Sequence, residues 1–333
     1  MKIIVTGCAG MIGCHLMSNL ISIFPKKNGN QIIGIDDLSR GSIENLKEAC
    51  KQKDDEFEFI EADLSKYDDL WAKSFENADI VIHLADIVAG IGFVFNNESY
   101  IFRTNLLINS NVGKAISLQK PKRYIYVGTA CSFPKNLQLS VNAPPLREED
   151  QLPALPESGY GWSKLMGEIE ATLLAKEGVT NSVILSLHNV YGRYCDYSSK
   201  SSQVIPSLCV KAIKASQTGE KLEIWGDGTQ GRAFVNADDV VNAIISSFYK
   251  GENSGVIQIG PNTCTSINEL SKLIVEQIDK DIDIYHNLSQ PVGDIGRCAD
   301  FSKAKRILNW EPKVTLKDGL GSLIEWMSKK ELL

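Results

Sequence analysis

Two stretches of this chain have residue types and spacings that could do chemistry. The first is Tyr160-Gly161-Trp162-Ser163-Lys164, a Tyr-x-x-x-Lys at the start of a helical run. Side chains four apart share one helix face, so phenol and ammonium are expected side by side. A neighbouring cation stabilises a phenolate and lowers its pKa, which makes Tyr160 a candidate base for an alcohol near neutral pH. The second is Val5-Thr6-Gly7-Cys8-Ala9-Gly10-Met11-Ile12-Gly13, which follows a β-rich run and opens a helix. Glycines at this spacing let the backbone turn sharply, approach a pyrophosphate and pack helix on strand. The helix start at Met11, Ile12 and Gly13 then offers free amide donors and a favourable dipole to phosphate.

An acidic pair, Asp36-Asp37, closes the next β-rich run, Gln31 to Ile35. A carboxylate there accepts hydrogen bonds from adenosine ribose hydroxyls and repels an added 2′-phosphate, so NAD is expected over NADP. Arg40 lies close by and pulls the other way.

The elements that would position these groups alternate. Strands are expected over 2–5, 31–35, 57–61, 80–84, 123–127 and 182–187, and helices over 11–22 and from Tyr160 to about Lys176. Continuous apolar strands between helices predict a parallel sheet covered on both faces, an α/β, doubly wound, Rossmann-type architecture. The second half is less regular. Helices are expected through Pro206 to Ser216 and over 238–250, 267–278 and 316–329, with a turn at Trp225-Gly226-Asp227-Gly228. The division expected is a dinucleotide-binding domain over 1–185, with later segments returning to it, and a smaller C-terminal α/β substrate-binding lobe over 186–333.

The chain has 333 residues, 43% hydrophobic and 23% charged, an ordinary globular balance. Its formal net charge of -6 speaks against nucleic acid or an anionic membrane as partner. No apolar run reaches membrane-spanning length. The opening Met1-Lys2-Ile3-Ile4-Val5 runs straight into the glycine turn without the apolar stretch of an export signal. A cytoplasmic location with reduced thiols is therefore expected. The eight cysteines show no metal-finger spacing and the four histidines are scattered, so no metal site is expected.

Taken together, these motifs resemble the extended short-chain dehydrogenase/reductase family, the NAD-dependent nucleotide-sugar epimerases and dehydratases, over essentially the whole chain. The resemblance implies roles residue by residue. Asp63-Leu64 matches an adenine contact, Leu84-Ala85-Asp86 the segment along the cofactor, and Asn105 a buried helix asparagine. Lys164 also matches the residue that holds the nicotinamide ribose. Thr129 matches the hydroxyl that orients the reacting alcohol. Related dehydratases carry acids at the next two positions, where this chain has Ala130 and Cys131, which argues against dehydration.

Four segments are most similar to the GDP-mannose 3,5-epimerase branch: Leu84 to Phe93, Thr129 to Pro134, His188 to Gly192, and Trp225 to Arg232. There a cysteine matching Cys131 is an acid/base at the sugar, working opposite a lysine, and Gly90 lies in the substrate-contacting segment. A thiol can serve because its pKa is tunable. The lysine's position falls on Gln203, which cannot shuttle a proton; Lys200 is close by. The branch's Gly-Pro after the tyrosine is Gly192-Arg193 here. Asn189, Arg232 and Arg297 match residues that bind the nucleotide phosphates, a task suited to guanidinium.

The resemblance implies oxidation at carbon 4 of a nucleotide-diphosphate sugar, GDP-linked and manno-configured. The reaction either stops as net oxidation or continues through a 4-keto intermediate to epimerisation. A UDP-sugar 4-epimerase and a non-catalytic NAD sensor of the same fold are the alternatives. A homodimer paired through the Tyr160 helix and its neighbour is the expected assembly.

Overall fold

A computed structural model describes residues 1–197, 201–278, 281–290, 292–293 and 295–330. Its centre is a parallel sheet. β1 (Lys2–Thr6) is a β-branched run that pairs in register with β2 (Gln31–Asp36) on one side and β4 (Ile80–His83) on the other. β3 (Glu58–Glu61) extends the sheet beyond β2, while β5 (Arg123–Thr129) and β6 (Asn181–Leu187) extend it beyond β4. Crossover helices cover both faces: α1 (Met11–Ile23), α2 (Ile43–Ala49), α3 (Asp69–Lys73), α4 (Ile91–Asn96), α5 (Glu98–Gln119) and α6 (Gly159–Lys176). Leu16, Met17 and Leu20 of α1 seal one face, and Val112 and Ile116 of α5 with Ala171 of α6 seal the other. Because every strand runs the same way, Thr6, Asp36, His83 and Thr129 end at one edge of the sheet, where open α/β sheets bind ligands.

Beyond β6 the chain builds a second layer from short pieces. β7 (Asn189–Tyr191) leads through α7 (Val204–Thr218) to β8 (Leu222–Trp225), β9 (Gly231–Arg232) and β10 (Phe234–Asn236). α8 (Ala237–Ser246) then packs back on α1 and delivers β11 (Val256–Ile259). β11 pairs with β6, so the sheet order is β11-β6-β5-β4-β1-β2-β3. β12 (Thr265–Ser266), α9 (Ile267–Ile278), β13 (Ile284–Asn287) and β14 (Gly296–Arg297) follow, and α10 (Ser302–Leu308) and α11 (Leu316–Ser328) close the chain. β9 lies between β12 and β14. Leu208 and Cys209 of α7, Leu270 and Ile274 of α9, and Leu320 and Leu323 of α11 form a separate core.

Three features depart from the sequence expectation. β5 runs on to Thr129, so the hydroxyl sits on the strand end rather than in a loop after it. Asn105 is buried on a helix as expected, but the 22-residue extent of that helix, α5, and the strand β11 were not foreseen. The thiols are not all reduced: Cys264 and Cys298 are joined in a disulfide with their Cα atoms 5.5 Å apart. That bond ties the residue before β12 to the residue after β14, two segments that the β9 pairing already brings together. Cys8, Cys14, Cys50, Cys131, Cys195 and Cys209 are free. Among the described residues no helix is long and apolar enough to cross a membrane.

Candidate active site

A cleft of about 1100 Å³ runs along the C-terminal edge of the sheet and under the second layer. At its middle stands α6. Ser158 caps this helix by accepting a hydrogen bond from the Gly161 amide at 3.4 Å, which starts the helix one residue before Tyr160. Tyr160 and Lys164 do share a face, both buried. Thr129 reaches the Tyr160 hydroxyl from β5 and lowers the phenol pKa. The Thr129 hydroxyl also accepts from the Cys131 amide at 3.3 Å, and Cys131 lines the cleft half-buried.

The phenol does not behave as spacing alone suggested. Burial, followed by the Asp86 carboxylate and Cys131, pushes Tyr160 well above its ordinary range. The Lys164 ammonium is 3.1 Å from an oxygen of Asp86, and the Tyr160 hydroxyl donates to that same oxygen at 3.2 Å. A buried cation that has a carboxylate partner has less field left for a phenol.

Behind this group lie further buried polar contacts. Glu168, one turn beyond Lys164, accepts from Gln151 at 2.5 Å and from Ser132 at 3.3 Å. Burial raises its carboxyl pKa to about 7, against lowering by Gln151, Lys164, Ser132 and Thr129. A Cβ on Gly128 would meet this carboxylate, so a side chain there would require Glu168 to move. Asn109 of α5 donates to the Ser163 carbonyl at 3.1 Å and meets His83 at 3.2 Å, and His83 meets Thr6 at 2.7 Å. Burial and the Lys164 charge hold His83 down at about 3, so the ring is neutral.

One end of the cleft is formed by the glycine turn. Gly7 has φ of +71°, and a Cβ there would lie 2.7 Å from the Ala85 amide. A Cβ on Gly13 would lie 2.2 Å from the Gly7 carbonyl, so this glycine lets helix touch strand. A Cβ on Gly10 would meet nothing closer than the Gly7 carbonyl at 3.5 Å, which leaves that side open to a ligand. Asp36, at the end of β2, accepts from the Ala9 and Leu38 amides at 2.9 Å each and lines the cleft with Met11, Ile12, Asp63, Leu64, Leu84 and Ala85. Arg40 is held by Asp196 at 2.9 Å. A bare helix N-terminus, an open glycine and a ribose-height carboxylate fit a dinucleotide.

At the other end the second layer forms the wall. Arg232 and Arg297 are register partners on β9 and β14, both buried and both lining the cleft with Asn189. Gly90 caps α4 and accepts no side chain, since a Cβ would lie 2.4 Å from the Ser202 carbonyl. Gln203 caps α7 and also faces the cleft. Lys200 lies outside the described residues.

Comparison with known proteins decides the family. The model of the NAD dependent epimerase/dehydratase family matches residues 3–260.

The chain belongs to that family. As a member it is an NAD-dependent enzyme of the nucleotide-sugar epimerases and dehydratases. This epimerase/dehydratase is 30% identical over 332 residues to GDP-mannose 3,5-epimerase 1 of Oryza sativa subsp. indica, covering 99% of this chain and 82% of that protein. Its fold matches a UDP-glucose 4-epimerase of Thermotoga maritima solved with UDP-glucose, at TM-score 0.85 and 28% identity, covering 99% of both chains. It also matches a UDP-glucuronic acid 4-epimerase of Bacillus cereus solved with UDP-glucuronic acid and NAD, at TM-score 0.82 and 26% identity, covering 99% of this chain and 100% of that one.

The catalytic, cofactor-binding and substrate-binding residues read from the sequence of this epimerase/dehydratase, from Gly7 to Arg297, line the one cleft, whereas Asn105 is buried behind it. Sequence reasoning missed Lys211, which shares the cleft-facing side of α7 with Gln203 and Ser207 at helical spacing and pairs with Glu223 at 3.0 Å. That i, i+4, i+8 spacing was the available signal. It also missed Glu168, which continues the Tyr160, Lys164 series by one more turn, and the contact of Asp86 with that pair.

Proposed function

We propose that this enzyme oxidises carbon 4 of a GDP-linked, manno-configured hexose or heptose to a 4-keto sugar. The observation that carries the reading is the convergence of Tyr160, Thr129 and Lys164 at the strand edge. They stand midway along a cleft that ends in a glycine turn on one side and two buried arginines on the other. The similarity to the rice GDP-mannose 3,5-epimerase over 99% of the chain supports the base and the sugar.

In this reading Thr129 orients the carbon 4 hydroxyl, Tyr160 as phenolate takes its proton, and Lys164 offsets the phenolate charge. NAD, when bound along Gly7, Gly10, Met11, Ile12, Gly13, Asp36, Asp63, Leu64, Leu84, Ala85 and Lys164, supplies the hydride acceptor. Arg232, Arg297 and Asn189 hold the diphosphate, with guanidinium matched to phosphate geometry. Gly90 and Gln203 border the sugar. Cys131 is the group able to exchange a proton next to the ketone, whereas Gln203 is not. Lys211 also lines the cleft and Lys200 lies outside the described residues, so the reaction either stops at the 4-keto sugar or continues through it to epimerisation. Residues 1–185 carry the dinucleotide side and 186–333 mainly the sugar side.

The test is GDP-mannose and GDP-heptoses with NAD in deuterated water, followed by reduced-nicotinamide absorbance and proton NMR. Lasting NADH with a 4-keto product means that the reaction stops there. Deuterium at carbons 3 and 5 without net NADH means that it continues to epimerisation. Turnover of UDP-glucose alone would favour the second reading, a UDP-sugar 4-epimerase, which rests on the Thermotoga fold match. A Tyr160→Phe variant with full activity would leave only a non-catalytic role for that residue.

The assembly in this proposal is a cytoplasmic homodimer. Tyr100, Phe102 and Leu107 of α5 and Trp162, Ile169 and Leu173 of α6 are exposed apolar side chains on two helices packed side by side. An exposed apolar face of this kind supports pairing of two copies. Sedimentation at micromolar concentration should give twice the chain mass; a monomer would remove the pairing.

A further inference from the structure

Asp86 has no part in the mechanism above, yet its carboxylate touches both residues of the Tyr160–Lys164 pair. The turn that carries it is fixed on two sides. The Ala85 amide donates to the Thr6 hydroxyl at 3.3 Å. The Asn105 side chain accepts from the Ile87 amide at 2.7 Å and donates to the Ile87 carbonyl at 3.1 Å. The position of Asp86 is therefore set by anchored backbone. Its oxygen Oδ2 takes the Tyr160 hydroxyl at 3.2 Å and the Lys164 ammonium at 3.1 Å. The Lys164 side chain is 3% exposed and that of Asp86 12%, so solvent screens this group little.

We propose that Asp86 is a positioning residue for proton transfer at Tyr160: it holds phenol and ammonium on one carboxylate oxygen and keeps the phenol protonated until further positive charge joins the group. Oxidised nicotinamide is such a charge. The inference rests on the roles proposed above for Tyr160 and Lys164. The other groups facing the phenol are Thr129 at the end of β5, Cys131 just past it and Tyr126 on β5; Glu168 lies one turn past Lys164 on α6. Ile87, Val88, Val94 and Ile101 pack the remaining side with apolar surface. Asp86 is thus the carboxylate in direct contact with the phenol, and removing its charge should act on the phenol directly.

The experiment needs no sugar. Tyrosinate absorbance is titrated for wild type and for Asp86→Asn, each minus its own Tyr160→Phe partner, with and without NAD. NAD affinity, read by tryptophan fluorescence, verifies that each variant is folded. The wild-type phenol is expected to stay protonated to the alkaline unfolding limit. In Asp86→Asn it should ionise about one to three pH units earlier, the range for one close charge. NAD should lower the wild-type midpoint and move the variant less. Asp86→Ala should follow Asp86→Asn, and Asp86→Glu should restore the wild-type titration. A phenol in Asp86→Asn that ionises no earlier than in wild type overturns the proposal. Failure of GDP-sugar turnover would overturn the proposed substrate instead, and would leave this titration unchanged.

Discussion

Glu168→Gln is the substitution whose effect can be worked furthest from the structure. The Glu168 carboxyl is 2% exposed, and its pKa is raised from 4.5 to about 7 chiefly by burial. A pKa higher in the folded chain than in the unfolded one means the fold holds the proton more tightly. The stability so gained is complete below pH 4.5 and is lost as pH rises to about 7. The size of that loss is roughly 3 kcal/mol, at about 1.4 kcal/mol per pH unit. Glutamine is neutral throughout, can accept from Gln151 through its carbonyl, and can donate to Ser132. Urea unfolding of both proteins at several values between about pH 4.5 and 8 gives the comparison, because all other titrating groups cancel in the difference. The variant should gain about 3 kcal/mol on wild type across that window. Parallel stability curves would mean that Glu168 titrates as an ordinary carboxylate, and the account of a buried, nearly neutral group behind Thr129 would fall.

Gly13→Ala should cost about 1–3 kcal/mol of stability, read by urea unfolding, because its Cβ would meet fixed backbone at 2.2 Å. Gly10→Ala has room in the fold and should leave unfolding unchanged while weakening NAD binding, measured by fluorescence; equal effects of the two would contradict the open side assigned to Gly10. Arg232→Gln and Arg297→Gln should each weaken GDP binding by about tenfold or more in calorimetry, the worth of a charge-assisted contact, with NAD affinity unchanged. Cys131→Ser should abolish any deuterium exchange next to the ketone while leaving formation of NADH measurable; retained exchange would move that chemistry to another residue.

The parts of this molecule that were legible in its sequence are those made of local pattern. The glycine turn, α1, the Tyr160 helix and the apolar strands each declare themselves within a few residues, by spacing or by β-branched runs. α5 did not, because its buried face carries Asn105 and Asn109 beside its aliphatic residues, and buried amides do not read as an apolar stripe. β11 is four residues of Val-Ile-Gln-Ile and is defined by its partner β6. In the site, Tyr160 and Lys164 share one helix face as i, i+4 spacing dictates. The contact of Tyr160 with Asp86, 74 residues away in sequence, is set by how the segment after β4 meets α6, which no local pattern records. The disulfide was missed for the same reason: Cys264 and Cys298 are 34 residues apart and meet only because β9 draws β12 and β14 together.

The return of the chain to its first sheet has a consequence for synthesis. As the protein leaves the ribosome, β6 emerges with one edge bare, and the strand that covers it, Val256–Ile259, is made only after β7 to β10 and α8. Until then the nascent sheet presents a row of unpaired amides and carbonyls along Asn181–Leu187, an invitation to pair with a neighbouring chain. A fragment that stops at β6 keeps that bare edge permanently and is expected to aggregate, whereas one that runs past Ile259 closes it.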